Sequence, residues 1–183
     1  MPDGGVLTMA VAGYTKTLAI VSHLLEYPDP AWWDELPAYK AAVEEIESQQ
    51  ARGLLSEFID YVEGEGKKAY EEQYVRSFDF SMNTNLYLTT QERTDYGKQS
   101  EEMHRYKVLF LENGYDVNRQ LPDYLPALLE LAASLQADHA KDVLTSIKPR
   151  VELLRSRFIE AKLAQSFLMD LVLMETAGLE VAS

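Results

Sequence analysis

Apolar residues recur along this chain every three or four positions, the spacing that places them on one face of an α-helix. The first series is Tyr14, Leu18, Val21 and Leu25. Series of the same kind predict further helices. Their predicted ranges are 32–50, 54–64, 67–77, 91–113, 122–135, 138–147 and 149–158, and a last helix ends before residue 178. Because no strand-like alternation occurs, the pattern predicts an all-α, single-domain bundle of about eight or nine helices.

Proline and capping residues set the predicted helix boundaries. Pro28 and Pro30 end the first helix, because neither can continue its backbone hydrogen bonding. Pro122 suits the first turn of a helix, and Asp138 suits the cap of the next one. Pro149 is expected to separate two helices. The remaining stretch, residues 78–90, lacks helical regularity and predicts an ordered loop with room for one helical turn.

Length and composition fit one folded domain with short ends. At 183 residues and 46% hydrophobic content, the chain is long enough to bury a core. We expect a flexible N-terminal tail over residues 1–13, an all-helical domain over 14–178 and a C-terminal tail over 179–183. No apolar run approaches the roughly 20 residues of a membrane span. No basic residue precedes the first apolar stretch, as it would in a secretory signal, so a cytoplasmic location is expected.

The chain is strongly acidic, with a formal net charge of −13. This charge argues against nucleic acid as a partner, because every phosphate would be repelled. The acids are unevenly spread, with 13 acidic residues against 4 basic ones between Glu26 and Glu72. Solubility is the general explanation of such acidity. Attraction of a basic partner becomes the better explanation if aromatic surface lies beside the acids.

Residue patterns for catalysis or metal binding are incomplete. The chain has no cysteine, which excludes disulfides, thiolate metal sites and cysteine nucleophiles. Glu101 and His104 have the spacing of di-iron helical bundles, but such a site needs two of these pairs and further inward glutamates. There is no glycine-rich phosphate loop and no Gly-x-Ser-x-Gly turn. The sequence therefore predicts neither an enzyme nor a permanently bound cofactor or metal.

Aromatic residues crowd the middle of the chain, at Tyr70, Tyr74, Phe78, Tyr87, Tyr96, Tyr106 and Tyr124. Core packing is the expectation for Tyr70, Phe78 and Phe110. Tyrosine combines an apolar ring with a hydroxyl that needs a partner, and it recurs at interfaces for that reason. An interface role stays open beside core packing for Tyr87, Tyr106 and Tyr124.

Two carboxylates stand next to aromatic residues in the sequence, Asp79 after Phe78 and Asp123 before Tyr124. Asp79 and Asp123 could each cap a helix, or could accept hydrogen bonds from an arginine of a partner.

Four segments resemble the nitrate reductase molybdenum cofactor assembly chaperones, the NarJ family, within the wider TorD/DmsD-like group. They are Leu24-Leu25-Glu26-Tyr27-Pro28-Asp29, Tyr74-Val75-Arg76-Ser77-Phe78-Asp79-Phe80, Asn85-Leu86-Tyr87-Leu88-Thr89 and Leu121-Pro122-Asp123-Tyr124-Leu125-Pro126. The segments occur in the family's order. TorD-like relatives carry a Glu-Pro-x-Asp-His element at the fourth segment, so Tyr124 stands here in the place of a histidine.

The resemblance implies an all-helical cytoplasmic chaperone without catalytic activity. Its expected partner is the N-terminal, leader-like peptide of the nitrate reductase catalytic (alpha) subunit, with cofactor-delivery proteins as a further class of partner. The chaperone would hold the apoenzyme while the molybdenum cofactor is inserted, and would bind no cofactor permanently. We expect the peptide to dock as an amphipathic helix in a groove. The expected peptide-binding residues are Asp79, Leu86, Tyr87, Glu102, Met103, Tyr106, Asp123 and Tyr124.

Two alternatives from other classes stay open. A helical adaptor would join folded partners through an acidic face, for which Glu44, Glu45 and Glu47 are the candidates. A carboxylate-rich metalloenzyme would build on the Glu101 and His104 pair.

Overall fold

The computed structural model describes residues 13–91, 95–116 and 121–182. Within these ranges there are eight α-helices and no β-strand, which confirms the all-α prediction. The helices are α1 Gly13–Leu25, α2 Pro30–Val43, α3 Gln49–Glu65, α4 Lys67–Tyr74, α5 Tyr96–Glu112, α6 Leu125–Ser134, α7 Ala137–Glu160 and α8 Ser166–Val181. The predicted N-terminal tail, residues 1–13, lies almost wholly outside the described residues.

The single helix predicted over residues 32–50 is two helices. The first, α2, starts after Asp29, whose side chain accepts a hydrogen bond from the Trp32 backbone N–H at 2.8 Å. It ends at Val43, and Ser48 caps α3 by accepting from the Ala51 N–H at 3.2 Å. Serine stabilises a helix start better than a helix interior. The helix is therefore interrupted ahead of Ser48, although the apolar pattern alone indicates no interruption there.

The predicted break at Pro149 is wrong, because α7 runs through this proline to Glu160. An interior proline costs a helix about 3 kcal/mol. Buried side chains continue at helical spacing on both sides, from Ile147 to Val151 and Leu154. Their burial offsets the cost and keeps the helix continuous.

Two further boundaries differ from the prediction. Pro122 lies in a turn, and α6 begins at Leu125 with Pro126 in its first turn. The last helix passes Gly178 and ends at Val181.

Two short non-α turns overlap the two ends of the loop predicted over residues 78–90. Residues Val75–Asp79 form a π-helical turn that continues α4, and Leu88–Gln91 form a 3₁₀ turn. Single π-turns occur frequently at functional sites.

The core lies where α1, α6, α7 and α8 pack together, with α3 and α4 against one side. Two polar contacts fasten α1 to α6. The Tyr14 hydroxyl donates to the Leu135 carbonyl at 2.6 Å, and the Ser22 hydroxyl donates to the Pro126 carbonyl at 2.7 Å. The aromatic residues predicted as core, Tyr70, Phe78 and Phe110, are buried. In the described part of the chain, no helix is both long and apolar enough to cross a membrane.

Candidate functional site

Two of the four segments that carry the family resemblance pair through their backbones. The Leu88 N–H donates to the Asp123 carbonyl, and the Leu125 N–H donates to the Leu86 carbonyl, both at 2.9 Å. These bonds form an antiparallel bridge between Tyr87 and Tyr124. Leu86 and Leu88 are buried on either side, so they anchor the bridge and turn Tyr87 outward.

The bridge brings two tyrosine rings together. The ring centroids of Tyr87 and Tyr124 are 5.0 Å apart with the planes tilted by 32°. Tyr124 is half-buried, and its hydroxyl donates to Oε2 of Glu26 at 2.9 Å. Tyr87 keeps 38% of its surface exposed. The pair therefore presents an aromatic face to solvent, backed by a carboxylate from the end of α1.

The other two segments reach the same place. The Tyr27 ring meets the edge of the Tyr74 ring at a centroid distance of 5.8 Å. Tyr27 also donates a short hydrogen bond to Glu71. The Tyr74 hydroxyl donates to the Leu25 carbonyl at 2.6 Å, and it lies near enough to the Tyr124 hydroxyl to affect its pKa. All four segments therefore converge on one row of tyrosines.

Two exposed apolar side chains lie between Asp79 and Tyr87 in the sequence. Phe80 and Met82 are 82% and 67% exposed in the loop that follows the π-helical turn. Asn85 fastens that loop beside Tyr87, because its side chain donates to the Met82 carbonyl at 3.3 Å and accepts from the Tyr87 N–H at 3.0 Å. An exposed phenylalanine and methionine beside a tyrosine are typical of a binding surface.

Acidic groups rim this surface. Burial raises the pKa of the Glu26 carboxyl above its ordinary value, the hydrogen bond from Tyr124 opposes the shift, and nearby acids add to it. Asp79 is exposed, and its charge contributes to raising the pKa of the Tyr27 and Tyr87 hydroxyls. The charge of Asp79 therefore acts on both hydroxyls.

The tyrosine hydroxyls here stay protonated at neutral pH. Burial, followed by the charge of Glu26, raises the pKa of Tyr124 far above its usual range. Burial does the same for Tyr74. These groups can donate hydrogen bonds but supply no phenolate nucleophile. We call the set Glu26, Tyr27, Asp79, Phe80, Met82, Tyr87 and Tyr124 the acidic aromatic surface.

Asp123 lies behind this surface and not on it. It is 1% exposed, and its Oδ2 accepts hydrogen bonds from the Thr89 N–H at 3.1 Å and the Thr89 hydroxyl at 2.5 Å. The sequence predicts that Asp123 caps a helix or accepts hydrogen bonds from an arginine of a partner. Its contacts with Thr89 are those of a cap, here for the 3₁₀ turn Leu88–Gln91. Leu86 is likewise interior, at 2% exposed.

Glu102 and Tyr106, two other predicted site residues, belong to a separate buried cluster on α5. Glu102 accepts from Arg150 of α7 through both oxygens, at 2.8 and 2.7 Å. The Tyr106 hydroxyl donates to the same carboxylate at 2.5 Å. Met103 is half-buried on the same helix. The geometry of this cluster is that of a helix anchor, because Arg150 holds Glu102 of α5 against α7.

The sequence-based prediction therefore selects three members of the acidic aromatic surface, Asp79, Tyr87 and Tyr124, and misses its other four. Glu26 and Tyr27 stood in the first resemblance segment and could have been found there. Phe80 and Met82 gave a weaker signal, as apolar residues in a loop without helical periodicity.

The structure also shows where the residues of the adaptor and metalloenzyme hypotheses lie. Glu44, Glu45 and Glu47 are exposed around the turn between α2 and α3, and Glu45 lies 3.7 Å from the Lys16 ammonium. Among the described residues, no group of three or more histidine or acidic side chains is arranged to hold a metal ion.

Comparison with known proteins gives three informative relatives, and no family model matches the chain. The Bacillus subtilis (strain 168) protein described as a probable nitrate reductase molybdenum cofactor assembly chaperone NarJ is 36% identical over 148 residues, covering 77% of each chain. Escherichia coli K12 NarJ, described as a nitrate reductase molybdenum cofactor assembly chaperone, is 31% identical over 160 residues, covering 85% of this chain and 67% of that protein. The probable chaperone NarW of the same strain is 25% identical over 169 residues, covering 92% and 71%. Since the first two matches extend over most of both chains, this protein belongs to the NarJ family of nitrate reductase molybdenum cofactor assembly chaperones, a family of chaperones and not of enzymes.

Proposed function

We propose that this chain is a cytoplasmic chaperone that binds the N-terminal, leader-like segment of the respiratory nitrate reductase catalytic subunit on the acidic aromatic surface. It holds the apoenzyme while the molybdenum cofactor, which is cargo for the client, is inserted. The observation that carries the proposal is the convergence of four separate segments on one row of tyrosines, of which Tyr27 and Tyr87 are exposed, with carboxylates beside them.

The surface suits an amphipathic helix with both apolar and basic side chains. Phe80, Met82 and Tyr87 offer apolar area, which contributes about 25 cal/mol per Å² before the costs of ordering the peptide are subtracted. Methionine adapts to varied partners. An arginine of the peptide can lie over the Tyr87 ring and reach the carboxylates of Glu26 and Asp79. Apolar burial then supplies affinity, and the carboxylates orient the helix.

The chemistry of the surface is binding and not catalysis. The hydroxyls of Tyr74 and Tyr124 remain protonated, and each donates to an oxygen of the protein itself. The Glu26 carboxylate is engaged by Tyr124, and a cation from a client would be a second partner that compensates its partial burial.

Titration of the full chain against a fluorescently labelled client N-terminal peptide tests the proposal. Tyr87→Ala should weaken binding about tenfold or more, because truncating an aromatic hot-spot residue of an interface costs about 2 kcal/mol or more. Asp79→Asn should weaken it less. Tyr96→Ala is the matched control, since Tyr96 is 80% exposed on α5 and should leave affinity unchanged. Wild-type affinity in both Tyr87→Ala and Asp79→Asn would exclude this surface as the peptide site.

The identity of the client needs a separate experiment. The chain is purified from its native host, and the bound large subunit is identified by mass spectrometry. Recovery of a nitrate reductase catalytic subunit supports the proposal, and recovery of another molybdoenzyme alone contradicts it.

A further inference from the structure

One side of α6 leads away from the Tyr87–Tyr124 pair. Tyr124 stands just ahead of this helix, and Ala127, Glu130 and Ser134 follow at intervals of three or four positions. That spacing places them along one side of an α-helix. Glu130 and Ser134 are exposed and Ala127 is half-buried, whereas the residues on the other sides of α6 are buried. We call Tyr124, Ala127, Glu130 and Ser134 the α6 face, which extends about 15 Å along the helix axis.

A pocket with a volume of about 220 Å³ lies beside this face, where the chain turns after α5. Gly114, with φ of 82°, forms the turn, and the Tyr115 N–H then donates to the Phe110 carbonyl at 2.9 Å. The Tyr115 hydroxyl donates to Oγ of Ser134 at 3.1 Å. Its side chain therefore reaches from the end of α5 to α6 and forms one wall of the pocket.

The pocket suits one large apolar side chain of a ligand. Phe110 and Leu131, which are largely buried, supply apolar lining, and Tyr115 adds a ring that is 46% exposed. Ala127 contributes only a methyl group to the lining, so a ligand can approach α6 closely there. An apolar side chain that enters gains free energy because its surface leaves water.

Two carboxylates lie along the α6 face. The Tyr124 hydroxyl donates to Oε2 of Glu26 at 2.9 Å, which places this carboxylate at the start of α6. Glu130 is exposed further along the helix. Burial raises the pKa of the Glu26 carboxyl, and the charge of Glu130 adds to the shift, so the two carboxylates interact. A cation beside this face would be attracted by both of them.

We propose that the client peptide continues from the acidic aromatic surface along the α6 face, as a helix of about three turns. A basic side chain of this helix lies beside Glu26 and Glu130, and an apolar side chain enters the pocket beside Tyr115. The inference rests on the proposed function and gives the peptide a second anchoring point. The chain therefore selects clients in which an apolar residue follows the basic one on the same side of the helix.

Titration of the full chain with the labelled N-terminal peptide of a nitrate reductase catalytic subunit tests this inference. Ala127→Leu fills the pocket and should weaken binding about tenfold or more, because a large apolar side chain can no longer be buried there. Glu130→Gln should weaken binding about two- to fivefold, the effect of losing one exposed ion pair. Glu57→Gln, exposed on α3, is the matched charge control and should leave affinity unchanged.

A set of peptides with single alanine replacements identifies the side chain that enters the pocket. One apolar replacement should weaken binding to the wild type but not to Ala127→Leu, because the variant has already lost that contact. Glu130 is exposed, so Glu130→Gln tests the inference even if Ala127→Leu fails to fold.

Disulfide trapping tests the position of the peptide directly. The chain has no cysteine, so Ser134→Cys introduces a single thiol at the end of the α6 face. Of two client peptides with a cysteine added at one end or the other, one should form a disulfide with this thiol under oxidising conditions. Ile159→Cys, at a position 49% exposed on α7, is the control and should trap neither peptide.

Wild-type affinity in both Ala127→Leu and Glu130→Gln would overturn the inference, as would equal trapping by Ser134→Cys and Ile159→Cys. If Tyr87→Ala still weakened binding in that case, the peptide would end at the acidic aromatic surface and only this inference would fail. If Tyr87→Ala and Asp79→Asn also bound the peptide normally, the proposed function would fail with it.

Discussion

Glu102 shows how a buried carboxylate can stabilise a helix at the edge of the bundle. It is 4% exposed and accepts two hydrogen bonds from Arg150 and one from the Tyr106 hydroxyl. Removing one partner of a buried ion pair leaves the other charge without compensation. We expect Glu102→Gln to lower the free energy of unfolding by about 3 kcal/mol, the lower end of the usual range, because Arg150 is partly exposed.

Urea denaturation followed by circular dichroism measures this loss. Glu101→Gln, at the exposed neighbouring position, is the control and should change stability by less than about 0.5 kcal/mol. Equal stability of the two variants would show that the Arg150 contact does not anchor α5.

Glu26, unlike Glu102, is expected to lower stability at neutral pH while its charge contributes to peptide binding. Burial raises its pKa in the folded chain, so the folded state holds this proton more tightly than the unfolded state does. Its contribution to stability is therefore fully present below the ordinary glutamate pKa and is lost as the pH rises through the raised value. We expect Glu26→Gln to be more stable than the wild type at neutral pH, and this advantage to disappear on acidification.

Denaturation between about pH 4 and pH 8 measures the difference. The same variant should bind the client peptide more weakly, because it lacks the charge that attracts a cation. Glu44→Gln, exposed at the end of α2, is the control for both measurements. A Glu26→Gln variant that loses stability at neutral pH would contradict the assigned sign.

Among the helices, the junction of α3 and α4 depends on one glycine conformation. Gly66 has φ of 84° and ψ of 163°, a region that residues with a Cβ rarely adopt. Its N–H donates to the Val62 carbonyl, and its carbonyl accepts from the Tyr70 N–H, so it ends one helix and starts the next. This orientation directs Tyr70 and Tyr74 of α4 toward the core and the acidic aromatic surface.

Two alanine substitutions two positions apart should therefore have opposite effects. Gly66→Ala should lower the free energy of unfolding by about 1–3 kcal/mol through backbone strain. Gly64→Ala, inside α3 with open space around the added methyl group, should raise it by about 0.5–1 kcal/mol. Chemical denaturation of both variants measures the pair, and a shift in the same direction would argue against the strained conformation.

The helices that the sequence predicts well are those in which the apolar pattern and the helix-ending residues agree. α1 and the C-terminal end of α3 combine one apolar face with a clear stop, and both are found near their predicted positions. Prediction fails where two signals compete. Pro149 opposes a helix whose burial continues on both sides, and Ser48 interrupts a stretch whose apolar pattern continues. The relative free energies of such opposing effects depend on packing between helices, which a local pattern does not contain.

For the whole molecule, the candidate site depends on contacts that are distant in sequence. Tyr124 and Glu26 are 98 positions apart, yet their side chains share a hydrogen bond. Residue type alone predicts all four of Glu102, Tyr106, Asp79 and Tyr87 as peptide-binding residues, because each is an acid or a tyrosine in the central region. Only the fold separates the pair that anchors α5 from the pair at the surface.

The net charge of −13 gives the molecule a long-range field that should act mainly on the rate of client capture. Salt screens charges over about 10 Å at 0.1 M and about 3 Å at 1 M. For a basic client peptide, we expect the association rate constant to fall about tenfold between low and high salt, while the dissociation rate constant changes little. Stopped-flow fluorescence at two salt concentrations measures both constants.

The Tyr87→Ala variant should show the complementary result, because loss of apolar contact acts after the encounter. Its dissociation rate constant should rise, with an association rate constant and salt dependence close to those of the wild type. A peptide with its arginines replaced by glutamine is the control and should associate slowly at every salt concentration. If salt changed only the dissociation of the wild-type complex, the carboxylates would act as close-range contacts and the field of the whole chain would have no part in capture.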